Sequence, residues 1–202
     1  MSTTHLPALA RDHRHRTCSG VKVPRFVLMT DDDRLPDPSM FIPLLPRGSA
    51  VIVRSKSQEK KDSLAHDISS VCRRHHVAVL VSHEQPPKIL ISDGIHIPEA
   101  SRCSWSRRDF RRLRPSLITT SAHSLKAAQS AHVWGADAVL LSPIAPTQSH
   151  PNGKSLGFWR GTRIQRQIDI PAIALGGIDL KSARRMFDLG FGGCAGIGLF
   201  TP

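Results

Sequence analysis

The chain lacks the patterns that mark several classes of protein. No apolar run approaches the roughly 20 residues of a membrane-spanning helix, and the N-terminus has no continuous hydrophobic core of a signal peptide. The four cysteines, Cys18, Cys72, Cys103 and Cys194, form no C-x-x-C pair. These absences argue against a membrane span, a zinc site and a disulfide framework, and they predict a cytoplasmic protein whose cysteines serve only for packing or lie at the surface.

Acidic and aromatic residues are also scarce. Asp and Glu number 16 against 28 Lys and Arg, which gives a net charge of +12, and aromatic residues make up 5% of the chain. Such an excess of positive charge favours anionic partners, either nucleic acid or phosphorylated metabolites. The basic cluster at 107–114 reads as a solvated helix face with Phe110 and Leu113 turned inward, and it offers no row of aromatic residues for base stacking. The favoured partner is therefore a phosphorylated small molecule rather than nucleic acid.

The length and composition fit one globular domain. The chain has 202 residues, of which 40% are hydrophobic and 22% charged. Residues 1–22 are polar, basic and without periodicity, which predicts a disordered leader, and residues 23–202 are predicted to form the folded domain.

The folded part alternates apolar strands with amphipathic helices. Helices are predicted at 57–76, 105–113, 125–134, 159–167 and after Asp179, and strands at 26–30, 50–54, 77–81, 94–97, 117–120, 138–141, 173–175 and 194–197. The strands are uninterrupted apolar runs, which is typical of a parallel sheet buried on both faces. Eight such units predict an α/β protein, a closed (β/α)₈ barrel, with a doubly wound open sheet as the alternative.

The last predicted strand is followed almost directly by Pro202. A barrel of this kind normally carries a covering helix there, and that helix is expected to be missing. We expect the leader, or a second subunit in a homodimer, to cover the apolar exterior of this strand.

Gly176 and Gly177 mark the most informative turn of the chain. They end an apolar strand and precede a helix whose N-cap is predicted to be Asp179. Bare backbone N–H groups at a helix N-terminus bind phosphate or carboxylate well. The alternative is an ordinary turn that needs a positive φ, because no full P-loop or dinucleotide fingerprint is present.

Two further segments carry polar side chains after strands. Asp31, Asp32 and Asp33 could bind a cation, although acidic residues in such loops are more often solvated. The segment 142–154 is rich in proline and hydroxyl groups and is too long for a simple connector, so it is predicted to be a ligand loop.

From about residue 26 to residue 200 the chain resembles the thiamine phosphate synthase/TenI superfamily of small barrels. The resemblance rests on motifs in the following order: Arg54-Ser55-Lys56, Asp93-Gly94-Ile95-His96-Ile97, Ser121-Ala122-His123-Ser124, Gly135-Ala136-Asp137, Pro143-Ile144-Ala145-Pro146-Thr147-Gln148-Ser149, Leu156-Gly157 and Ala174-Leu175-Gly176-Gly177-Ile178. In this superfamily the synthases couple a pyrimidine pyrophosphate to a thiazole phosphate, whereas TenI-type members are thiazole tautomerases.

The resemblance implies a set of site residues. The substrate- and phosphate-binding positions would be Arg54, Lys56, Ser121, Thr147, Ser149, His150, Gly176, Gly177, Ile197 and Gly198. His123 falls on the histidine that looks like the acid/base catalyst of TenI-type enzymes, and the alternative is that it only helps to form the site. A proton transfer within a ring suits an imidazole and needs no metal. His96 is expected to be a satisfied wall histidine.

The departures from the synthase pattern concern mainly the metal. Ile52 stands where synthases carry Gln, Ser82-His83 replaces Asn-Asp, and Ser101 replaces a second magnesium-binding Asp. His150 and Gly198 replace a Lys and a Ser. No cofactor is therefore expected, and Mg²⁺ would be used only if synthase activity were retained. Metal-independent tautomerase chemistry is favoured; the alternatives are a divergent synthase, a non-catalytic phosphate-binding barrel and a basic nucleic-acid-associated protein.

Overall fold

The computed structural model describes residues 20–147 and 155–200. Each strand pairs in parallel with the next along the chain, and the last pairs with the first, so the sheet closes into a barrel. The strands are β1 Phe26–Met29, β2 Ala50–Val53, β3 Ala78–Ser82, β4 Gly94–Ile97, β5 Ile118–Ala122, β6 Ala138–Leu141, β7 Ala172–Leu175 and β8 Gly193–Gly196. The (β/α)₈ barrel is confirmed, and the open-sheet alternative is wrong. Most of the predicted leader lies outside the described residues.

The described residues form five α-helices around the barrel. They are α1 Gln58–His75, α2 Arg107–Leu113, α3 Leu125–Trp134, α4 Phe158–Gln165 and α5 Leu180–Asp188. The 3-10 helices Ile42–Leu44 and Glu99–Ser104 follow β1 and β4. Residues 83–93, all of which are described, contain no helix, and none was predicted between these two strands. Pro86 and Pro87 interrupt this segment, because proline lacks the N–H group that a helix interior requires.

The helix ends follow the capping signals of the sequence. The Ser57 hydroxyl accepts a hydrogen bond from the Lys60 N–H at the start of α1, and His76 ends this helix in the left-handed conformation. Asp179 caps α5 as predicted, and Asp179 and Ser182 form a reciprocal capping box. Within the described ranges, no helix has the length and hydrophobicity that a membrane span requires.

The strand side chains fill both faces of the sheet. Val27, Ile52 and Leu80 belong to the cluster inside the barrel, while Leu28 and Val51 belong to the larger cluster under the helices. All five are at most 1% exposed. Burial of such side chains stabilises the fold by about 1.5–3 kcal/mol each. Polar residues appear where the strands end, and this leaves the carboxyl end of the barrel open for a site.

The exterior of β1 and β8 is covered in part by the described chain itself. The Phe26 ring contacts the Phe187 ring edge-on at 5.6 Å and the Phe200 ring at 6.2 Å between centroids. The Arg25 guanidinium lies 4.0 Å from the Phe187 centroid. After β8 the described residues form only a turn, in which the Phe200 N–H donates to the Ile197 carbonyl. The expected cover by the leader falls outside the described residues.

Candidate functional site

A cavity of about 1000 Å³ opens at the carboxyl ends of the strands. This is the end at which barrels of this architecture bind ligands, and the volume suits a small phosphorylated molecule. The polar and glycine residues of its lining come from the carboxyl-terminal parts of strands or from the segments that follow strands: Arg34, Arg54, Ser82, His96, Glu99, Ser121, His123, Ser142, Thr147, Gly176, Gly177, Asp179, Gly196 and Gly198.

Most of the predicted site residues meet in this cavity. Its lining includes the following predicted residues: Arg54, Ser121, His123, Thr147, Gly176, Gly177, Ile197 and Gly198. Lys56 is not part of the lining, and its backbone N–H donates to Asp32 Oδ2 at 3.1 Å. Ser149 and His150 lie outside the described residues.

The Gly176–Gly177 turn requires glycine for its own geometry. Gly176 has a φ of +94° and Gly177 a φ of +63°. A Cβ at Gly177 would lie 2.5 Å from the Pro146 carbonyl oxygen, and one at Gly176 would lie 3.0 Å from Pro143 Cα. The carbonyls of Leu175 and Gly176 accept hydrogen bonds from the N–H groups of Ile144 and Ala145, which lie in the loop after β6. The turn needs positive φ, as the second interpretation holds, and it lines the cavity beside a helix N-terminus; that it binds an anion stays a prediction.

Asp179 places a carboxylate at the same end of the cavity. Its Oδ1 accepts from the Ser182 N–H at 2.8 Å and from the Ser182 hydroxyl at 2.7 Å. These hydrogen bonds lower the pKa of Asp179. The Asp179 carboxylate is thus engaged at the start of α5, which makes it less available to bind a cation in the cavity.

Two arginines, Arg34 after β1 and Arg54 after β2, line the rim of the cavity. Arg54 is held at the end of β2, because its N–H donates to the Thr30 hydroxyl at 2.8 Å and its carbonyl accepts from the same hydroxyl at 3.0 Å. Arg34, which sequence reasoning missed, pairs with Asp31 at 3.3 Å. Asp32 accepts from the Lys56 N–H, which lowers the pKa of Asp32. Within the acidic run, Asp31 thus pairs with Arg34 of the rim and Asp32 binds the backbone of Lys56, which lies outside the lining. The position of the run directly after β1 was the available signal.

His123 projects from the turn between β5 and α3. Its Nδ1 lies 2.8 Å from the Ser142 carbonyl oxygen, and its backbone N–H donates to Glu99 Oε2 at 2.8 Å. The Ser142 hydroxyl oxygen lies 3.3 Å from the same nitrogen and can accept or donate, whereas the nearer carbonyl oxygen only accepts. The shorter contact therefore assigns the proton of the neutral ring to Nδ1. The other nitrogen, Nε2, is then the one with a lone pair. This tautomer equips the ring to remove a proton from a ligand.

His96 lies in the wall of the cavity with both ring nitrogens hydrogen-bonded, as predicted, and one of its partners is the Ser121 hydroxyl. The side chain is 3% exposed; Nδ1 lies 3.0 Å from the Thr119 hydroxyl oxygen and Nε2 lies 3.0 Å from the Ser121 hydroxyl oxygen. The Thr119 hydroxyl donates to the Ile95 carbonyl, so it accepts from Nδ1, and Ser121 donates to Nε2. Burial lowers the pKa of His96 to about 3, helped by the charges of Arg54 and Arg102. His96 is therefore neutral at physiological pH.

The residues at the end of β3 do not fit the magnesium site that the resemblance implies. Ser82 lines the cavity, whereas His83 is 2% exposed and lies outside its lining. Burial lowers the pKa of His83 to about 4, and the Lys61 charge adds to this. Magnesium prefers several oxygen ligands, carboxylates among them. In the described lining the carboxylates are Glu99 and Asp179, and residues 20–147 and 155–200 contain no group of three His, Cys, Asp or Glu arranged to hold a metal ion.

Glu99 is a further site residue that sequence reasoning missed, and Ser142 was covered only as the first residue of the predicted ligand loop 142–154. Glu99 follows β4 directly after Pro98, and Ser142 follows β6, so both occupy carboxyl-end positions that often carry function in barrels. Their importance arises from the contacts with His123, which join residues far apart in the chain.

Comparison with known proteins places this fold and site in one family. The family model for thiamine monophosphate synthase matches residues 43–200. A protein of Aquifex aeolicus (strain VF5), described as a candidate second thiamine-phosphate synthase, is 28% identical over 89% of this chain and 99% of its own length. The thiamine-phosphate synthase of Geobacillus thermodenitrificans (strain NG80-2) is 29% identical, and the match covers 73% of this chain and 65% of that protein.

Solved structures show the same architecture. The thiamine phosphate pyrophosphorylase from Pyrococcus furiosus superposes with a TM-score of 0.67 at 20% identity, over 86% of this chain and 87% of the other. An N-acetylmannosamine-6-phosphate 2-epimerase from Clostridium perfringens gives a TM-score of 0.61 at 14% identity, over 95% and 93% of the two chains. These two likenesses establish the fold alone. With the family model matching most of its length, the chain belongs to the thiamine monophosphate synthase family.

Proposed function

We propose that this protein binds a thiazole phosphate and catalyses a metal-independent tautomerisation of its ring, with His123 as the acid/base catalyst. The family acts on phosphorylated small molecules, which fits the predicted partner and the basic cavity rim. The observation that carries the proposal is the hydrogen bond from His123 Nδ1 to the Ser142 carbonyl, because it fixes the tautomer that leaves Nε2 as a base.

The chemistry requires one proton to move between two atoms of the same ligand. Nε2 of His123 removes a proton from a ring atom, the imidazolium keeps its Nδ1–H on the Ser142 carbonyl, and the proton on Nε2 then returns to another ring atom. The reaction has no leaving group, so no metal is needed to neutralise a departing anion. General acid–base catalysis of this type contributes about 10²–10⁴-fold to a rate.

The phosphate would be bound at the end of the cavity formed by the loops after β7 and β8. Gly176 and Gly177 offer backbone N–H groups there, the start of α5 adds partial positive charge, and Gly198 lines the same end. This arrangement positions the ring of the ligand within the barrel mouth, between the phosphate site and His123.

A divergent synthase is the second candidate, and one observation favours it. Arg34 and Arg54 both line the rim, so the cavity could hold a pyrophosphate as well as a monophosphate. The poor donor set for magnesium weighs against efficient coupling, since a pyrophosphate leaving group needs its charge neutralised. A carrier or sensor that binds the phosphate without catalysis is the remaining alternative.

Direct titration with thiazole phosphate tests the binding half of the proposal. The variant Gly198→Val adds a side chain where a Cβ has no neighbour within 4 Å, so it should fill the phosphate end without straining the fold. We expect about a tenfold or larger loss of affinity, with Gly198→Ala losing less and the urea midpoint unchanged. Lys88→Ala, an exposed basic residue outside the lining, is the control for non-specific anion binding. Equal affinity in wild type and Gly198→Val would overturn the phosphate assignment.

A further inference from the structure

Glu99 contacts His123 although the two residues lie in different segments of the fold. Glu99 begins the 3-10 helix Glu99–Ser104 that follows β4, while His123 lies in the turn after β5. Glu99 Oε2 accepts the His123 backbone N–H at 2.8 Å, and the Glu99 side chain is part of the cavity lining. A carboxylate on a backbone N–H forms a strong hydrogen bond, so it fixes the backbone position from which the imidazole projects.

Arg102, three residues further along the same 3-10 helix, binds both sides of this turn. Its Nη2 donates to the Ser121 carbonyl and its Nε donates to the Thr120 hydroxyl at 2.8 Å. On the other side its Nη1 donates to the Ala127 carbonyl at 2.7 Å and to the Ser130 hydroxyl at 3.1 Å. One half-buried guanidinium thus joins the end of β5 to the first turns of α3.

These contacts constrain the turn before and after His123. Its imidazole is attached separately, to the Ser142 carbonyl after β6. The ring reaches that carbonyl only while its backbone stays in register with β6, and a displacement of about 1 Å in a reacting group can cost about 10²-fold in rate. The tautomer of His123 therefore depends on Glu99 and Arg102 as well as on Ser142.

We propose that Glu99 and Arg102 are positioning residues that hold His123 in register with the Ser142 carbonyl and so select the tautomer of its ring. The inference rests on the proposed function only in naming His123 as the acid/base catalyst. Neither residue removes the ligand proton; they act through the backbone that presents the imidazole.

The two residues allow matched variants. Glu99→Gln keeps an oxygen that accepts the His123 N–H, whereas Glu99→Ala removes it. Arg102→Lys keeps the positive charge but cannot make the four described hydrogen bonds together. Cys103→Ser alters an exposed residue of the same 3-10 helix whose described bond is only to the Ala100 carbonyl, and it serves as the control.

Amide exchange and ¹⁵N NMR of the imidazole test the positioning directly, without any activity. In Glu99→Ala and Arg102→Lys we expect the His123 amide to exchange about tenfold faster or more, and the ring nitrogens to lose the pattern of a single Nδ1–H tautomer. Glu99→Gln and Cys103→Ser should keep the wild-type behaviour. Unchanged exchange and tautomer in Glu99→Ala would overturn the proposal, whether or not the protein is active. Urea unfolding identifies any variant that has lost its fold. The proposal is then judged on the variants that remain folded.

Steady-state kinetics separate positioning from ligand binding. Glu99→Ala should lower kcat by about 10²-fold and change KM little, because the phosphate end is untouched, and Glu99→Gln should restore most of kcat. A loss confined to KM would contradict positioning. If wild type shows no tautomerase activity the proposed function fails, and the NMR result still decides the role of Glu99 and Arg102.

Discussion

Two buried histidines should make the stability of the barrel depend strongly on pH in a range where most proteins are stable. The pKa of His83 is lowered to about 4 and that of His96 to about 3, in both cases first through burial. In the unfolded chain a histidine has a pKa of about 6.5. Between these values the unfolded chain binds more protons than the folded one, so the free energy of unfolding falls as the pH falls.

The magnitude follows from the size of the pKa difference. On going from pH 7 to pH 5, each neutral buried histidine should reduce the free energy of unfolding by about 2 kcal/mol, and the two together by about 4 kcal/mol. The stability is fully present above about pH 6.5 and is lost progressively below it. This is a large part of the roughly 5–15 kcal/mol by which a domain is usually stable.

Urea unfolding at pH 7, 6 and 5 measures this dependence. His83→Gln should remove about half of it, since one of the two titrating groups is gone. His66→Gln changes an exposed histidine of α1 and should leave the dependence intact. A free energy of unfolding that is equal at pH 7 and pH 5 would show that these histidines are not buried in neutral form and would refute the packing described for the ends of β3 and β4.

Other predictions concern the glycine turn, the thiols and the assembly. Gly177→Ala should destabilise the protein by about 1–3 kcal/mol in urea unfolding, because its φ is +63° and the new Cβ meets the Pro146 carbonyl; equal stability would contradict the described turn. Burial raises the pKa of the Cys72 and Cys194 thiols to about 12, so at pH 8 a thiol reagent should label the exposed Cys103 and leave both unmodified in the folded protein; rapid labelling of either would refute their burial. We expect the leader, residues 1–22, or a second subunit to cover the exterior of β8; a monomer by light scattering whose leader can be deleted without loss of stability would contradict this expectation.

The barrel architecture could be predicted from the sequence because the chain repeats one simple pattern, an apolar strand followed by a polar segment or a helix. Apolar β-branched runs such as 50–53 are visible without knowledge of their neighbours, and the caps Ser57 and Asp179 mark helix starts locally. The 3-10 helix Glu99–Ser104 was not predicted, because its residues carry no helical periodicity.

From the sequence, the site could be predicted only for residues that lie within a single recognisable motif. Arg54, His123 and the glycine turn lie at strand ends within recognisable motifs, and they do line the cavity. The contact of Glu99 with His123 and the place of Arg34 in the cavity lining depend on which loops meet at the barrel mouth. Local patterns do not contain that information, so these residues emerged only with the fold.

The central claim is most directly tested by assaying thiazole phosphate tautomerisation by wild type and His123→Ala, each with and without a metal chelator, beside a thiamine phosphate synthesis assay. The account predicts tautomerisation that is indifferent to the chelator and falls by about 10²-fold or more in His123→Ala, together with very weak coupling. Silence in both assays would favour the non-catalytic binding protein. Brisk magnesium-dependent coupling that survives His123→Ala would contradict the account.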